Sequence, residues 1–291
     1  MSKTSFLDIA PPYTEYKTAK FAVIPVPYEK TVSYGSGTAK GPDAILKASQ
    51  HVEDYDIELD RETCRAGIHV GKGIKDIKEI RGRIKKILED KKIPVMLGGE
   101  HSITLFAVEA CKEKYKNLSV LQFDAHADLR DTYHGSKYSH ACAARRILEI
   151  CPAVQVGIRS MSKSEMDYAK SSGQISKIHT AEKLEIVENV CAQLSKDVYI
   201  TFDVDVFDPS VMPSTGTPEP GGLDYYEVLD ILRGVAREKN IVGFDVVELA
   251  PVKGIHHPDF TIAKLIYKLM GYIVAMEPAT KRRGSNRDSR K

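Results

Sequence analysis

Short apolar runs of strand length recur along the chain, and apolar and polar residues do not alternate within them. Runs of this kind predict strands that are covered on both faces. They are FAVIPV (21–26), IPVML (93–97), LSVLQF (118–123), AVQVGI (153–158), VYITFDV (198–204) and IVGFDVV (241–247). Between them, apolar residues recur at the spacing of helices, at 75–91, 225–239 and 259–276. Strands that alternate with helices predict an α/β fold, in which a parallel sheet carries helices on both sides.

The chain of 291 residues is long enough for one large domain or two small ones. No linker rich in proline, glycine or serine interrupts it before about residue 277, so we predict a single domain over residues 1–277. Residues 278–291 are polar and basic and lack apolar periodicity, which predicts a disordered tail. From Glu277 onward the formal charge is +4, so the remainder is near −2 and does not resemble a nucleic-acid-binding protein. A contact of the tail with RNA or a membrane stays open.

The five cysteines are odd in number and include no CxxC pair. This usage fits a reduced protein rather than a disulfide scaffold or a zinc finger. The opening stretch MSKTSFLDIAPPYTEY lacks the apolar segment of a signal peptide, and no run reaches the roughly 18 apolar residues of a membrane span. We therefore expect a cytoplasmic protein with no membrane partner.

Ionisable side chains follow three of the predicted strands at the point where each strand ends. Those after LSVLQF occupy alternate positions, so they point to one side if the extended conformation persists. In TFDVDVFDP, two aspartates again follow an apolar run at alternate positions, and in GGEHS a histidine follows two glycines. Each alone is compatible with a solvated strand edge or a simple turn, but ligands of parallel sheets bind where such strand ends meet. The candidate ligands are His101, Asp124, His126, Asp128, Asp203 and Asp205.

Several carboxylates gathered at one buried edge repel each other unless a cation lies among them. Six ligands exceed the four of a usual zinc site and suit two divalent ions about 3.5–4 Å apart that share bridging carboxylates. Carboxylates and imidazoles without cysteine favour manganese over zinc. Two such ions, four aspartates and a bridging hydroxide leave the site slightly anionic, which predicts a small cationic substrate.

These segments resemble those of the ureohydrolases, the family of arginase and agmatinase. GGEHS, FDAHADLRD, TFDVDVFDPSVMPSTGTPEPGGL and GFDVVELAP occur in the family's order and at similar spacing, and residues 26–46 resemble its N-terminal segment. The resemblance covers most of the chain and implies a three-layer α/β/α fold with a mostly parallel central sheet. It also implies a trimer or hexamer that hydrolyses a guanidino group to urea and an amine at a binuclear manganese site.

Carried over residue by residue, the resemblance divides the six ligands between two ions. Metal coordination can lower the pKa of water from 15.7 to about 7, which makes hydroxide available to attack the guanidinium carbon. Two aspartates would bridge the ions. One ion would be held by His101, Asp124, Asp128 and Asp203, and the other by Asp124, His126, Asp203 and Asp205.

Three side chains are implied in catalysis or substrate binding. Asp128, a ligand of one ion only, can take the hydroxide proton and pass it to the departing amine. Glu248 resembles the family's guanidinium-binding glutamate, although without the resemblance it would be interpreted as a surface acid. His140 resembles the loop histidine used as an acid/base or substrate contact, whereas we expect His134 to be exposed. We interpret the remaining histidines as structural or surface residues, with the last two as alternative pocket-rim residues: His51, His69, His179, His256 and His257.

The substrate-binding segments resemble those of agmatinases more than those of arginases. LRDTYHGSKYSHA and IRSMSKSEM lack the groups with which arginases bind an α-amino acid, which favours agmatine, cleaved to urea and putrescine. Arg130 and Lys253 are each able to pair with a carboxylate, so guanidinobutyrate or a similar guanidino acid stays open, with arginine less favoured. Alternatively, Arg130 pairs with Asp131 or with a neighbouring subunit.

Two other classes of protein remain to be weighed. A non-catalytic metal-binding relative is expected to lose a metal ligand or the glutamate, and none is missing here. A histone-deacetylase-like amide hydrolase shares the broad fold but normally uses a single zinc and a different ligand set. The sequence therefore favours an agmatinase-like enzyme.

Overall fold

The computed structural model describes residues 5–183 and 187–276, so the predicted tail at 278–291 lies outside the described residues. The strands are β1 Phe21–Val26, β2 Tyr55–Asp56, β3 Arg61–Glu62, β4 Ile68–Val70, β5 Ile93–Gly98, β6 Leu118–Phe123, β7 Ala153–Ile158, β8 Ile178–Thr180, β9 Asp197–Asp203 and β10 Asn240–Val247. The α-helices are α1 Gly41–Ser49, α2 Lys78–Glu89, α3 Thr104–Lys114, α4 Ala143–Leu148, α5 Lys163–Ser172, α6 Val187–Gln193, α7 Tyr225–Glu238 and α8 His257–Ala275. None of these helices combines the length and the apolar character that crossing a membrane requires.

Eight strands form one sheet in the order β4–β1–β5–β10–β9–β6–β7–β8, and all neighbouring strands in it are parallel. Alternate side chains of each strand enter different hydrophobic clusters. Phe21 and Val23 of β1 pack in the cluster that contains α1, α6, α7 and α8, whereas Ala22 and Ile24 pack with α2, α3 and α4. Helices therefore cover both faces, and the predicted three-layer α/β/α fold is confirmed.

All six predicted strands form, with bounds displaced by one residue at most. The three predicted helices also form, with ends displaced by up to three residues. The periodicity did not reveal the short edge strands β4 and β8, nor α3, whose buried face contains small residues such as Ala107 and Ala110 rather than a stripe of large ones. The single domain over 1–277 stays a prediction.

The loop after β1 packs against the loop after β5, at the edge of the sheet where the strands end. Gly99 makes this contact possible, because a Cβ atom there would lie 1.9 Å from the carbonyl oxygen of Tyr28. The backbone N–H of Glu100 donates to the same oxygen at 2.9 Å. The N-terminal loop is thereby held beside His101.

Candidate metal centre and substrate pocket

Four adjacent parallel strands, β5, β10, β9 and β6, end at the candidate site. Because the carboxyl ends of parallel strands meet at one edge of a sheet, the residues that follow these strands lie close together. One pocket of about 250 Å³ contains all six predicted ligands together with Glu248. The structure thus brings together residues from four separate segments of the chain.

A buried histidine lies at the centre of the first ligand group. Nδ1 of His101 is 3.1 Å from Asp124 Oδ2, 3.3 Å from Asp128 Oδ2 and 3.4 Å from Asp203 Oδ2. The His101 side chain is 1% exposed, and within the described part of the chain its Nδ1 has no hydrogen bond of acceptable geometry. A buried nitrogen that faces three carboxylates without such a bond is suited to bind a cation together with them.

Asp124 also belongs to a second group. Nδ1 of His126 is 2.9 Å from Asp205 Oδ2 and 3.7 Å from Asp124 Oδ1. The ligand atoms of Asp124, His126 and Asp205 lie within 4.8 Å of one another, as do those of His101, Asp124 and Asp203. Each group can hold a metal ion, and the shared carboxylate suits a bridge between two of them.

The hydrogen bonds of His101 leave its Nδ1 free to bind a cation. Nε2 is 2.9 Å from Thr201 Oγ1, and Thr201 donates its only hydroxyl proton to Asp245 Oδ1 at 2.6 Å. Thr201 therefore accepts the Nε2 proton, and Nδ1 of the neutral ring carries a lone pair. Burial lowers the pKa of His101, but the carboxylates of Asp124, Asp128 and Asp203 around Nδ1 outweigh burial and raise the pKa well above the usual value. The carboxylates thus favour a positive charge at Nδ1, and the donor set fits a metal ion.

The regular extended conformation of β6 does not persist as far as Asp128, so the condition for strand alternation is not met. β6 ends before Asp124, and Asp128 has a φ of 52°, in the left-handed region. Asp124 accepts the backbone N–H of His126 at 2.6 Å, and Asp203 accepts that of Asp205 at 2.9 Å. These local hydrogen bonds curl the chain around the site, so the side chains converge for a different reason from the one that strand alternation predicts.

The two histidines compensate the carboxylates of the site only in part. Burial and the charge of Asp124 raise the pKa of Asp128 to about 7, and burial raises the pKa of Glu248 to about 8. Burial lowers the pKa of His126, but hydrogen bonds to neighbouring aspartates outweigh it and raise that pKa to about 12. The metal-free site therefore retains protons that metal ligands must give up when an ion binds.

The sequence profile of the Arginase family matches residues 19–271. The chain belongs to the arginase family. The "N(1)-aminopropylagmatine ureohydrolase" of Thermus thermophilus is 41% identical over 271 residues, which cover 89% of this chain and 92% of that protein. The "Agmatinase" of Pyrococcus horikoshii is 35% identical over 280 residues, which cover 91% of this chain and 95% of that protein. The crystal structure of the agmatine ureohydrolase of Thermoplasma volcanium is similar with a TM-score of 0.84 at 29% identity, and the match covers 97% of each chain.

Within this arginase-family pocket, Glu248 combines an unusual backbone conformation with an available oxygen. Its φ is 66°, which is uncommon for a residue other than glycine and is typical of functional sites. Its Oε1 accepts the backbone N–H of His101 at 2.7 Å. Over residues 5–183 and 187–276, no hydrogen bond reaches its Oε2. That oxygen is free to accept a hydrogen bond in the pocket.

The loop after β6 contributes His140 to the pocket, whereas His134 is exposed as predicted. His256 and His257 are also exposed and lie outside the described lining of the pocket. Lys253 is exposed in the same way, so its pairing with a substrate carboxylate receives no support.

Arg130 lines the pocket and pairs with Glu165 rather than with Asp131, whereas its pairing with a neighbouring subunit stays a prediction. Its Nε is 3.6 Å from Glu165 Oε2, and its guanidinium carbon is 4.9 Å from the centre of the Tyr133 ring. Asp131 instead pairs with Arg146 at 2.8 Å. The charge of Arg130 is thereby partly offset at the mouth of the pocket.

Sequence reasoning missed residues that hold the candidate ligands in place through hydrogen bonds. Thr201 and Asp245 orient His101, and the signal for Asp245 is a carboxylate inside the apolar run IVGFDVV. Sequence reasoning also missed Arg159, whose Nη2 donates to the carbonyl oxygens of Asp205 at 2.8 Å and Glu219 at 2.7 Å. These bonds join the segment after β9, which contains Asp205, to the TPEPGGL loop.

Proposed function

We propose that this protein hydrolyses the guanidino group of a cationic amine, N1-aminopropylagmatine or agmatine, to urea and the corresponding amine. One observation carries the proposal: two ligand groups that share Asp124 lie in the same pocket as the free carboxylate oxygen of Glu248. A carboxylate is a suitable partner for a guanidinium group, because it can accept two N–H bonds in a fork.

We propose two manganese ions as the cofactor, since carboxylates and imidazoles without cysteine suit manganese. When bound, the two cations would allow a water molecule to ionise near neutral pH. Asp124, which belongs to both ligand groups, and Asp203 would be ligands of both ions. His101 and Asp128 would complete one ligand set, and His126 and Asp205 would complete the other.

The chain's own residues would then bind the substrate and move the proton. Glu248 would orient the guanidinium carbon, and Asp128 would hold the proton lost by water and donate it to the departing amine. His140 would contact the substrate or act as an acid or base.

The choice of substrate rests on charge and on the comparisons. Both proposed substrates are cations without a carboxylate, which suits a pocket whose carboxylates are only partly compensated. We place N1-aminopropylagmatine first, because the Thermus thermophilus relative with that name is more similar to this chain than the Pyrococcus horikoshii agmatinase. Agmatine, the substrate that the sequence predicts, comes second.

A guanidino acid such as guanidinobutyrate is the alternative, because Arg130 lines the pocket. Its pairing with Glu165 at 3.6 Å makes it a weaker partner for a carboxylate, so we place such acids after the amines. Arginine comes last. The carboxylate of arginine would be incompletely paired in an anionic pocket. We therefore expect a preference for agmatine over arginine of roughly a hundredfold, or about 2.7 kcal/mol.

Urea release by the manganese-loaded protein tests the proposal. The panel is N1-aminopropylagmatine, agmatine, guanidinobutyrate and arginine, and we expect kcat/KM to fall in that order. A kcat/KM for arginine that equals or exceeds those of the amines would contradict it. A preference for guanidinobutyrate that Arg130→Ala abolishes, and that the exposed-site control Lys253→Ala leaves intact, would establish the alternative. The homo-oligomeric state, trimer or hexamer, and the cytoplasmic location stay predictions.

A further inference from the structure

A buried carboxylate next to His101 receives four hydrogen bonds. Oε2 of Glu100 accepts the backbone N–H groups of Lys30 at 2.5 Å and Thr31 at 2.6 Å. Its Oε1 accepts the hydroxyls of Thr31 at 2.8 Å and Ser102 at 2.6 Å. Four donors directed at two oxygens leave Glu100 as an acceptor only, which is the role of a carboxylate.

The Thr31 hydroxyl lies between this carboxylate and His140. Its oxygen accepts the backbone N–H of His140 at 3.0 Å and is 3.1 Å from the ring atom Nδ1. A threonine hydroxyl has one proton, and Glu100 takes it. Thr31 can therefore only accept from Nδ1, so Nδ1 carries the ring proton. The Ser139 hydroxyl is 3.4 Å from Nδ1, too long to compete.

The other ring nitrogen is left for the pocket. His140 lines the pocket, and none of the residues that the structure describes forms a hydrogen bond with its Nε2. Burial also lowers the pKa of His140, which favours the neutral ring near neutral pH. A neutral ring with its proton on Nδ1 has a lone pair on Nε2, and this nitrogen can accept a hydrogen bond or a proton.

We infer that Glu100 and Thr31 are positioning residues that hold His140 as the Nδ1–H tautomer, with Nε2 presented to the pocket as an acceptor. The inference rests on the proposed function for its role in turnover, but the hydrogen-bond chain itself does not. In that role Nε2 receives an N–H of the guanidinium or of the departing amine. Through Thr31, the same carboxylate links the loop that bears His101 to the loop that bears His140, so the metal ligand and the acceptor keep one relative position.

Thr31→Val tests the chain of hydrogen bonds from Glu100 through Thr31 to His140, because valine keeps the shape of threonine and removes the hydroxyl. We expect kcat to fall at least about fivefold, or about 1 kcal/mol, the net value of one hydrogen bond. Thr31→Ser keeps the hydroxyl and should recover the lost kcat. Thr38→Val is the matched control: Thr38 is buried in the same segment, and its hydroxyl has no hydrogen-bond partner among the described residues.

A second measurement does not depend on activity. In metal-free protein labelled with ¹⁵N-histidine, the ring signals of His140, assigned with His140→Gln, should show the proton on Nδ1. In Thr31→Val this preference should weaken. A proton on Nε2 in the unsubstituted protein would overturn the inference, as would a fall in kcat for Thr31→Val no larger than that for Thr38→Val.

The two proposals fail in different ways. If no guanidino compound releases urea while the Nδ1 proton is present, the proposed function is wrong and the positioning of His140 stands. If urea is released and His140 carries its proton on Nε2, the proposed function stands and the inferred positioning of His140 is wrong.

Discussion

Two groups of charged side chains differ in how they are neutralised: the largely buried candidate metal centre and a partly buried cluster around Lys268. We define the Lys268 cluster as Asp56, Glu58, Arg233, Lys268 and Tyr272. Lys268 Nζ is 3.0 Å from Asp56 Oδ2 and 2.5 Å from Glu58 Oε2, and Arg233 Nη1 is 2.9 Å from Glu58 Oε1. Two cations thus face two carboxylates. At the metal centre, two histidines face four aspartates and Glu248.

The pKa values of the acids follow this difference. Burial raises the pKa of Glu58, but hydrogen bonds from Lys268, Arg233 and Tyr272 outweigh burial and lower it to about 2. At the metal centre, burial and the charge of Asp124 raise the pKa of Asp128 to about 7. The Lys268 cluster joins the β2–β3 hairpin to α7 and α8 with its own counter-charges. The metal centre lacks them, which is what a site for an external cation requires.

Asp203→Asn is expected to have the largest effect on activity. It removes a proposed bridge, so both ions should be lost. Urea release should fall by more than about a hundredfold, which exceeds the loss expected from altering a residue that only forms hydrogen bonds to a metal ligand. It also removes one of the repelling charges, so the metal-free protein should be at least as stable as the unsubstituted one. Metal analysis and thermal unfolding of the metal-free protein measure the two effects. Retention of two ions per chain would refute the bridging role.

Lys268→Met should show the opposite behaviour. Removal of one partner from a buried ion pair leaves Asp56 uncompensated and should lower the free energy of unfolding by about 3–5 kcal/mol. Metal content and kcat of the folded protein should not change. Chemical denaturation measures the loss, with Lys264→Met on the same helix as the control. Equal effects of the two substitutions would show that the Lys268 cluster contributes little.

Glu248→Gln separates substrate binding from metal binding within the pocket. Glutamine keeps the acceptor for the His101 N–H but removes a charge that would face the guanidinium. A loss of about 2–5 kcal/mol is expected, so kcat/KM should fall at least about thirtyfold. Two ions should still bind. Steady-state kinetics and metal analysis test this, and Glu79→Gln, exposed on α2, is the control. Unchanged kinetics would exclude the assigned role.

The smallest expected effect is the acid response of the Lys268 cluster. Because the pKa of Glu58 is lower in the folded protein than its usual value of 4.5, its contribution to stability is present above about pH 4.5. The contribution is lost as the pH falls from there towards about 2. The stability difference between the unsubstituted protein and Glu58→Gln should therefore shrink over this range. A difference that is independent of pH would contradict the lowered pKa.

The sequence predicted the six long strands, the parallel sheet and the six candidate ligands because these signals are local. An apolar run indicates a strand that is covered on both faces, and ionisable residues at its end indicate a site at the edge of the sheet. Thr31 and Glu100 gave no such signal, since a threonine in a polar loop and a glutamate after two glycines are ordinary residues in those positions. Asp245 was visible as a carboxylate in an apolar run, yet its partner could not be deduced.

The sequence by itself determined which residues can bind a cation and which segments form the sheet. Only the tertiary structure decided that β10 lies between β5 and β9, so that Glu248 donates to Gly99 and accepts from His101. It also decided that Thr31 meets His140, 109 positions further along the chain. Side-chain hydrogen bonds act over about 3 Å, so their partners depend on how distant segments are placed by the packed sheet and helices, which no local pattern encodes.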